Sequence, residues 1–289
     1  MRYSCLPAAV AFVVGVGIVS AGFAVADPTP TTPGGNLPHH GMGLDLKAVK
    51  AAKGRDTSSG NALPVRVGAV GEPPAEYSLQ QYAISPGDQG SVGSCVTWAT
   101  GYTGYGLLMN EQNITGGPMA PMYIYSQIAK GNDQGTYASV ALPMEEQQGI
   151  DTKSDYYQGD FDFTTQPTDA ERANAAHYQL SGDKDLTQGD VVSNIKQSIA
   201  AGMPVPIGFQ VRSSFENLNS SNYNYTPDPS DTVIGGHEVT IVAYDENGVT
   251  IENSWGSNWG NSGFFTAPWS FITGGDVDEV HSMGRLVTQ

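Results

Sequence analysis

The sequence predicts an α+β protein with a helical first half and an antiparallel, strand-rich second half. Three observations carry this expectation. Cys95, Trp98, Ala99, Tyr102, Gly106 and Met109 recur with the spacing of one buried helix face over residues 94–110. Two β-branched runs, Val239-Thr240-Ile241-Val242-Ala243-Tyr244 and Val249-Thr250-Ile251-Glu252-Asn253, lie close together late in the chain. Between them, Glu246-Asn247-Gly248 supplies the Asn-Gly pair that favours a tight hairpin turn.

The elements follow in order. Residues 1–26 read as a secretory signal peptide, with Arg2 as the positive start and an apolar run behind it. Ala24-Val25-Ala26 then offers the small-x-small cleavage pattern before Asp27-Pro28. Cleavage leaves no stable membrane insertion and removes Cys5, so Cys95 remains as the only cysteine. The protein is therefore expected to be secreted or extracytoplasmic, with a bacterial cell envelope as one destination. Residues 27–74 are rich in Pro, Thr, Gly and Ser and are expected to form a flexible spacer or short pro-segment. Within it, Leu44, Leu46 and Val49 mark a short helix over residues 44–53. His39-His40 in such a segment is a solvated pair rather than a metal site.

The compact domain is expected over residues 75–289, an ordinary size for one domain. After the helix at 94–110, helical patterns recur at 121–130, 137–148 and 187–201, the last stopped by Gly202 and Pro204. Gly101, Gly104 and Gly106 are poor helix formers, and their place in the first of these helices implies close packing against a neighbour. Residues 205–211 read as a further strand. The polar stretch 213–236 is a long loop, of the kind that commonly binds something.

Charge narrows the function. The net charge is −16, so no basic stripe exists to neutralise phosphates, and nucleic acid is excluded as a partner. No metal-ligating set and no cofactor motif is visible. The informative residue is Cys95. A thiol attacks a carbonyl only as its thiolate, which needs a proton acceptor and an electropositive setting. A helix N-terminus supplies the second. Among the five histidines, His237 stands apart, between Gly235-Gly236 and an apolar strand. Asn253 ends the partner strand of the hairpin, so it falls beside His237 and can hold one imidazole nitrogen while the other faces Cys95.

Gln89-Gly90-Ser91-Val92-Gly93-Ser94-Cys95, Gly236-His237-Glu238-Val239 and Asn253-Ser254-Trp255-Gly256-Ser257-Asn258-Trp259-Gly260 together resemble papain-type cysteine peptidases. The order Cys, His, Asn and the long gap fit as well. The resemblance implies a papain-like fold: a helical N-terminal half and a barrel-like antiparallel C-terminal half, with the active-site cleft between them. It implies Cys95 as nucleophile, His237 as its imidazolium partner, Asn253 as the group that orients His237, and Gln89 with the Cys95 N–H as the oxyanion hole. Pairing with an imidazolium lowers a Cys pKa to roughly 3–4 in such enzymes. Trp255 would shield the Asn253–His237 bond from water. Gly135 and Thr136 would hold substrate backbone along the cleft. The implied activity is that of a secreted endopeptidase acting as a monomer on protein or peptide substrates. Two other readings stay open: a different acyl transfer or amidase on the same machinery, and a catalytically silent binding protein.

The sequence departs from the family pattern at named places. Val92 and Asp133 stand where the family carries a pair of bridged cysteines, so one disulfide is lost as a unit. Val96 replaces the aromatic residue that follows the nucleophile. The long inhibitory prodomain is missing, and residues 27–74 in its place are not expected to inhibit. Glu238 stands where the S2 pocket has a small residue. It either shortens that pocket or favours a basic P2 side chain, or else it points to solvent or pairs with an arginine.

Overall fold

One long strand organises the second half of the molecule. In this computed structural model, which describes residues 40–66 and 71–287, strand β6 (Val233–Tyr244) runs twelve residues. The predicted signal peptide and the first part of the predicted spacer lie outside the described residues. In chain order the elements are α1 (Leu46–Ala52), β1 (Ser59–Gly60), β2 (Tyr77–Ser78), α2 (Cys95–Thr97), α3 (Tyr105–Gln112), α4 (Pro121–Ala129), α5 (Ala138–Gln148) and α6 (Asp169–Ala175). They continue with β3 (Gln179–Leu180), β4 (Gly182–Asp185), α7 (Val191–Ala200), β5 (Val205–Arg212), β6, β7 (Gly248–Glu252), β8 (Phe264–Pro268), α8 (Trp269–Ile272), β9 (Val277–Met283) and β10 (Leu286–Val287). The main sheet has the order β1-β4-β9-β5-β6-β7-β8, with β2 added on β6, and its pairs are antiparallel. The α+β architecture predicted from the sequence is the one observed, with the strand-rich half as an antiparallel sheet.

The helix that begins at Cys95 is continuous to Gln112, but its middle, Trp98–Gly104, is π-helical. A π-turn widens the helix and is common at functional sites. The glycines here are explained by contact, as the sequence suggested. A Cβ on Gly104 would sit 2.4 Å from Met283 Sδ, so the sheet and this helix approach as closely as a missing side chain allows.

Two cores flank this contact. The helical core gathers Cys95, Val96, Tyr105, Leu108, Tyr123, Tyr125, Leu142 and Ile150. The sheet core gathers Phe209, Phe215, Tyr225, Trp255, Trp259 and Phe265 around β5 to β8. The Asp245-Glu246-Asn247 turn closes the hairpin β6–β7, with Asp245 Oδ1 accepting from the N–H groups of Asn247 (2.7 Å) and Gly248 (3.0 Å). The stretch 213–236, expected as a long loop, is loop only as far as residue 232, where β6 takes over, and it packs into the sheet core. It places Phe215 and Tyr225 at 0% and 2% exposure inside an edge-to-face aromatic cluster. The loop is long and polar because two aromatic anchors are enough to hold it.

Candidate active site

Cys95 opens the buried helix, fully enclosed, at the junction of the two cores. His237 and Glu238 sit next to one another on β6, where strand alternation sends them to opposite faces of the sheet. His237 pairs in register with Phe209 and joins the aromatic core, with its ring 4.8 Å from that of Trp255. Asn253, one residue past β7, is brought beside it by the hairpin: His237 Nε2 lies 2.7 Å from Asn253 Oδ1.

The tautomer follows from the neighbours. Asn253 Oδ1 also accepts from Ser254 N–H at 2.8 Å, which fixes that atom as the oxygen. His237 Nε2 must therefore carry the proton in their bond, leaving Nδ1 as the free lone pair. Nδ1 has no hydrogen-bond partner. Gln89, also fully buried, is held at both ends of its amide. Its Oε1 accepts from Ser254 Oγ at 2.7 Å and its Nε2 donates to Val92 O at 2.9 Å, while Gln89 N donates to Ser254 O. One amide proton of Gln89 Nε2 is thus uncommitted. Asn253 and Trp255 lie against His237, Gln89 is tied to Ser254 next to Asn253, and Cys95 meets the N–H of Gly43.

A segment not expected there runs between the two walls. Gly41 N donates to Gly90 O (2.8 Å), Gly43 N to Cys95 Sγ (3.2 Å), Leu44 N to Gly236 O (3.1 Å) and Asp45 N to Thr136 O (2.9 Å). Thr136 N returns a bond to Gly43 O at 2.8 Å. Leu44 and Thr136 thus form a parallel bridge, and Gly135 and Thr136 do line the cleft, here against residues of this same chain. His40 stacks on Trp255 at 4.7 Å. Residues 40–45 are therefore a strap laid across the thiol. It leads into α1, capped by Asp45 Oδ1. Farther on, it is pinned by Thr57 on Asp185 and Ser59 on Asp183, the latter also bound by His281. These bonds hold part of the segment expected as a flexible spacer or short pro-segment against the thiol.

Electrostatics reflect the occupied cleft. Burial pushes the Cys95 thiol up to about 11, against the backbone N–H groups of Gly43, Glu238 and Val96, which pull it down. Burial lowers His237 to about 4, opposed by the bond to Asn253. A neutral thiol and a neutral imidazole are the consequence at neutral pH, since burial disfavours the charged form of each.

Two further substitutions become readable. Asp133, in the place of a bridging cysteine, accepts from Gly93 N at 3.0 Å and from the Tyr125 hydroxyl. Tyr125 Oη in turn accepts from Gly135 N at 3.1 Å. A hydrogen-bonded bridge thus joins the two loops of the helical wall. Glu238 is fully buried, which removes the solvent-facing alternative, and no arginine or lysine pairs with it among the described residues. Its neighbour is Glu279 of β9. Glu279 and the strap were missed in the sequence, where a single acid in a late strand and a Gly-x-Gly in a polar stretch carry no distinct mark.

Comparison with known proteins now decides the family. A family model described as papain family cysteine protease matches residues 79–269. The chain belongs to this family. An uncharacterized peptidase C1-like protein of Acanthamoeba polyphaga mimivirus is 27% identical over 244 residues, covering 79% of this chain and 77% of that one. A cathepsin B-like cysteine proteinase of Caenorhabditis elegans is 38% identical over 93 residues, 31% of this chain and 24% of that one. Among solved structures, xylellain, a cysteine protease from Xylella fastidiosa, superposes with a TM-score of 0.68 at 22% identity, over 85% of this chain and 96% of that one. Bromelain from Ananas comosus superposes at 0.58 with 17% identity, over 73% of this chain and 99% of that one. At these identities the two structures speak to the fold.

Proposed function

We propose that this papain-family peptidase is an exported, monomeric endopeptidase that folds in a latent form, its nucleophile covered by its own strap. The observation that carries the reading is the His237 side chain: Nε2 committed to Asn253 Oδ1 and Nδ1 left without a partner. That arrangement suits a base waiting for a proton.

Once the strap leaves, the proton of Cys95 passes to His237 Nδ1, and the thiolate attacks the substrate carbonyl carbon. The Gln89 amide and the Cys95 N–H receive the negative oxygen, where one such donor contributes about 10²–10³ in rate. The C–N bond breaks, His237 gives its proton to the leaving amine, and a thioester to Cys95 remains. Water, deprotonated by His237, then releases the acid and restores the thiol. Gly135 and Thr136 offer the backbone groups now used by Gly43 and Asp45, and Glu238 borders the subsite beside them. Trp255 keeps water from the His237–Asn253 bond. The filled and bonded positions Cys95, His237, Asn253 and Gln89 speak against a silent binding protein. Protein and peptide substrates fit a cleft whose present occupant is itself an extended chain. The secretory reading of residues 1–26 supports an extracytoplasmic location.

The test is turnover of internally quenched peptides by the full chain carrying Gly43→Val, a substitution that drives the strap out. Cleavage at internal bonds that disappears with Cys95→Ala and with His237→Ala is expected. Trimming from the ends alone sinks the endopeptidase assignment, and transfer to added amines instead of hydrolysis favours the acyl-transferase reading.

A further inference from the structure

Two neighbouring strands grip the helix of the nucleophile at two points. Thr240 of β6 and Glu252 of β7 are in register, so their side chains share the sheet face opposite His237. Thr240 Oγ1 donates to Ala99 O at 2.8 Å, and Thr103 Oγ1 donates to Glu252 Oε1 at 3.2 Å. Ala99 and Thr103 lie about one turn apart, within the π-helical stretch that follows Cys95. All four residues are buried. The grip reaches the other wall of the site as well, because Thr240 stands just past His237 and Glu252 immediately precedes Asn253. Each strand thus has two duties. One face holds the helix, and the other carries the imidazole or the amide that orients it.

Thr240 is an ordinary residue for such a contact, whereas Glu252 is a costly one. It is 1% exposed, one hydroxyl serves its carboxyl, and Oε2 has no partner. Burying such a group costs free energy that a leucine or valine in its place would not. The titratable and charged groups around it bring no relief. Tyr102, on the same helix, donates its hydroxyl to Ser85 O, and Lys153 Nζ stands over the rings of Trp98 and Tyr102. Glu145 of α5 is bonded to Thr100 on that helix, and Glu238 of β6 faces Glu279. Strand β8 and helix α8, packed along β7, carry no titratable side chain. Burial therefore lifts Glu252 to about 8, and it is neutral below that pH. As a neutral acid it accepts the Thr103 proton and needs no countercharge. As a carboxylate it would have to draw water into a contact that is closed to solvent.

We propose that Glu252 is a positioning residue: its bond to Thr103, together with that of Thr240 to Ala99, sets the register of the Cys95 helix against the strands of His237 and Asn253. The proposal rests on the peptidase reading, since what it concerns is the alignment of thiol and imidazole. Glu252 touches neither substrate nor reacting atoms. It acts through Thr103 on the helix and through the main chain on Asn253. A hydrocarbon side chain would fill the same space and let the helix slide, whereas a buried hydrogen bond specifies one arrangement. Ionisation of Glu252 breaks that arrangement, so activity has an upper pH limit set by a group that takes no part in the chemistry.

The test uses the full chain with Gly43→Val, whose strap is driven out, and reads peptide turnover together with labelling of Cys95 by a peptidyl electrophile. Glu252→Leu should lower kcat and the labelling rate by about ten- to a hundredfold with KM nearly unchanged, the margin of a small misplacement of reacting groups. The melting temperature should hold or rise, because the buried acid is gone. Glu252→Gln stays neutral and keeps an acceptor for Thr103, so it should restore most of the lost rate. It should also move the alkaline fall of kcat from about pH 8 to higher pH. Glu145→Gln, at the other buried acid on this helix, should leave that fall in place. An alkaline fall that Glu252→Gln does not move, or that Glu145→Gln moves as far, overturns the positioning role even if Glu252→Leu fails to fold. Labelling that needs His237 but is unaltered by Glu252→Leu overturns the positioning role and leaves the peptidase reading standing. Labelling indifferent to His237→Ala with Glu252 in place sinks the peptidase reading and the proposal with it.

Discussion

The backbone N–H of Gly43 donates to Cys95 Sγ at 3.2 Å. The group offered to the thiol is an amide N–H, so the strap occupies the nucleophile through a backbone donor. The bond itself favours the thiolate, so it is burial that keeps the thiol protonated.

Displacing the strap should expose the site. A Cβ at Gly43 would lie 1.7 Å from Gly93 O, a backbone atom that cannot swing aside. Overpacking of this kind costs about 1–3 kcal/mol, which shifts the ratio of undocked to docked strap by about five- to a hundredfold. Gly43→Val should raise the rate of Cys95 alkylation by that order, measured by mass spectrometry of the intact chain. An unchanged rate would mean the strap is no barrier.

The pH profile of alkylation should separate the two forms. With the strap docked, burial holds the thiol at about 11 and the imidazole at about 4, so both are neutral between those values. The rate in the wild-type chain should therefore keep climbing toward pH 11 as thiolate forms. In the Gly43→Val chain the proton can pass to His237, and the rate should level off at far lower pH. Identical profiles in the two chains would contradict the assignment of His237 as partner.

Asn253→Ala should leave His237 in place but free to turn. The ring loses its oriented bond, worth about 1–3 kcal/mol, and kcat should fall about ten- to a hundredfold with little change in KM. Trp255 and Phe209 still pack the ring, so the melting temperature should move less than activity does.

Asp133→Ala should loosen the helical wall of the cleft. Gly93 N–H and the Tyr125 hydroxyl lose their acceptor, and Tyr125 in turn loses its hold on Gly135. A cost of about 1.5–3 kcal/mol should appear as a lower melting temperature together with a raised KM. Asp133→Asn, which keeps an acceptor oxygen, should recover part of both.

Buried acids make stability fall with rising pH. The single Thr100 hydroxyl proton lies between Val96 O (3.0 Å) and Glu145 Oε1 (2.5 Å), and it serves only one of them. A proton on Glu145 satisfies the other contact, in keeping with burial raising that carboxyl to about 8. Because the folded-state value lies above the unfolded one, the contribution is intact below about pH 4.5 and is lost as pH rises through 8. Each such group weakens the fold by about 1.4 kcal/mol per pH unit in that window. Glu145→Gln should flatten the slope of melting temperature against pH over this range.

Much of the fold was legible because its signals are local. The helix from Cys95 shows in its apolar spacing, and the β6–β7 hairpin shows in Asn247-Gly248. Helix α6 was missed although Thr168 and Glu171 form a capping box there, each side chain bonded to the other's backbone. Strands β8 and β9 were missed because their pairing partners lie far away in sequence. The same reason hid the strap and Glu279. Residues 40–45 are short and glycine-rich, and nothing in them tells that they complete hydrogen bonds of Gly90, Thr136 and Gly236. Glu279 acquires meaning only across Gly208, from Glu238. The long loop at 213–232 misled for the opposite reason: its polar composition hides the two aromatic residues that bury it.

The most direct measurement is the intact mass of the Gly43→Val chain after brief exposure to a peptidyl electrophile. One adduct is predicted, located on Cys95, formed far faster than with a free thiol and abolished when His237→Ala is added. Equal labelling with and without His237, or no labelling beyond that of an ordinary cysteine, contradicts the central claim that this chain is a strap-covered thiol peptidase.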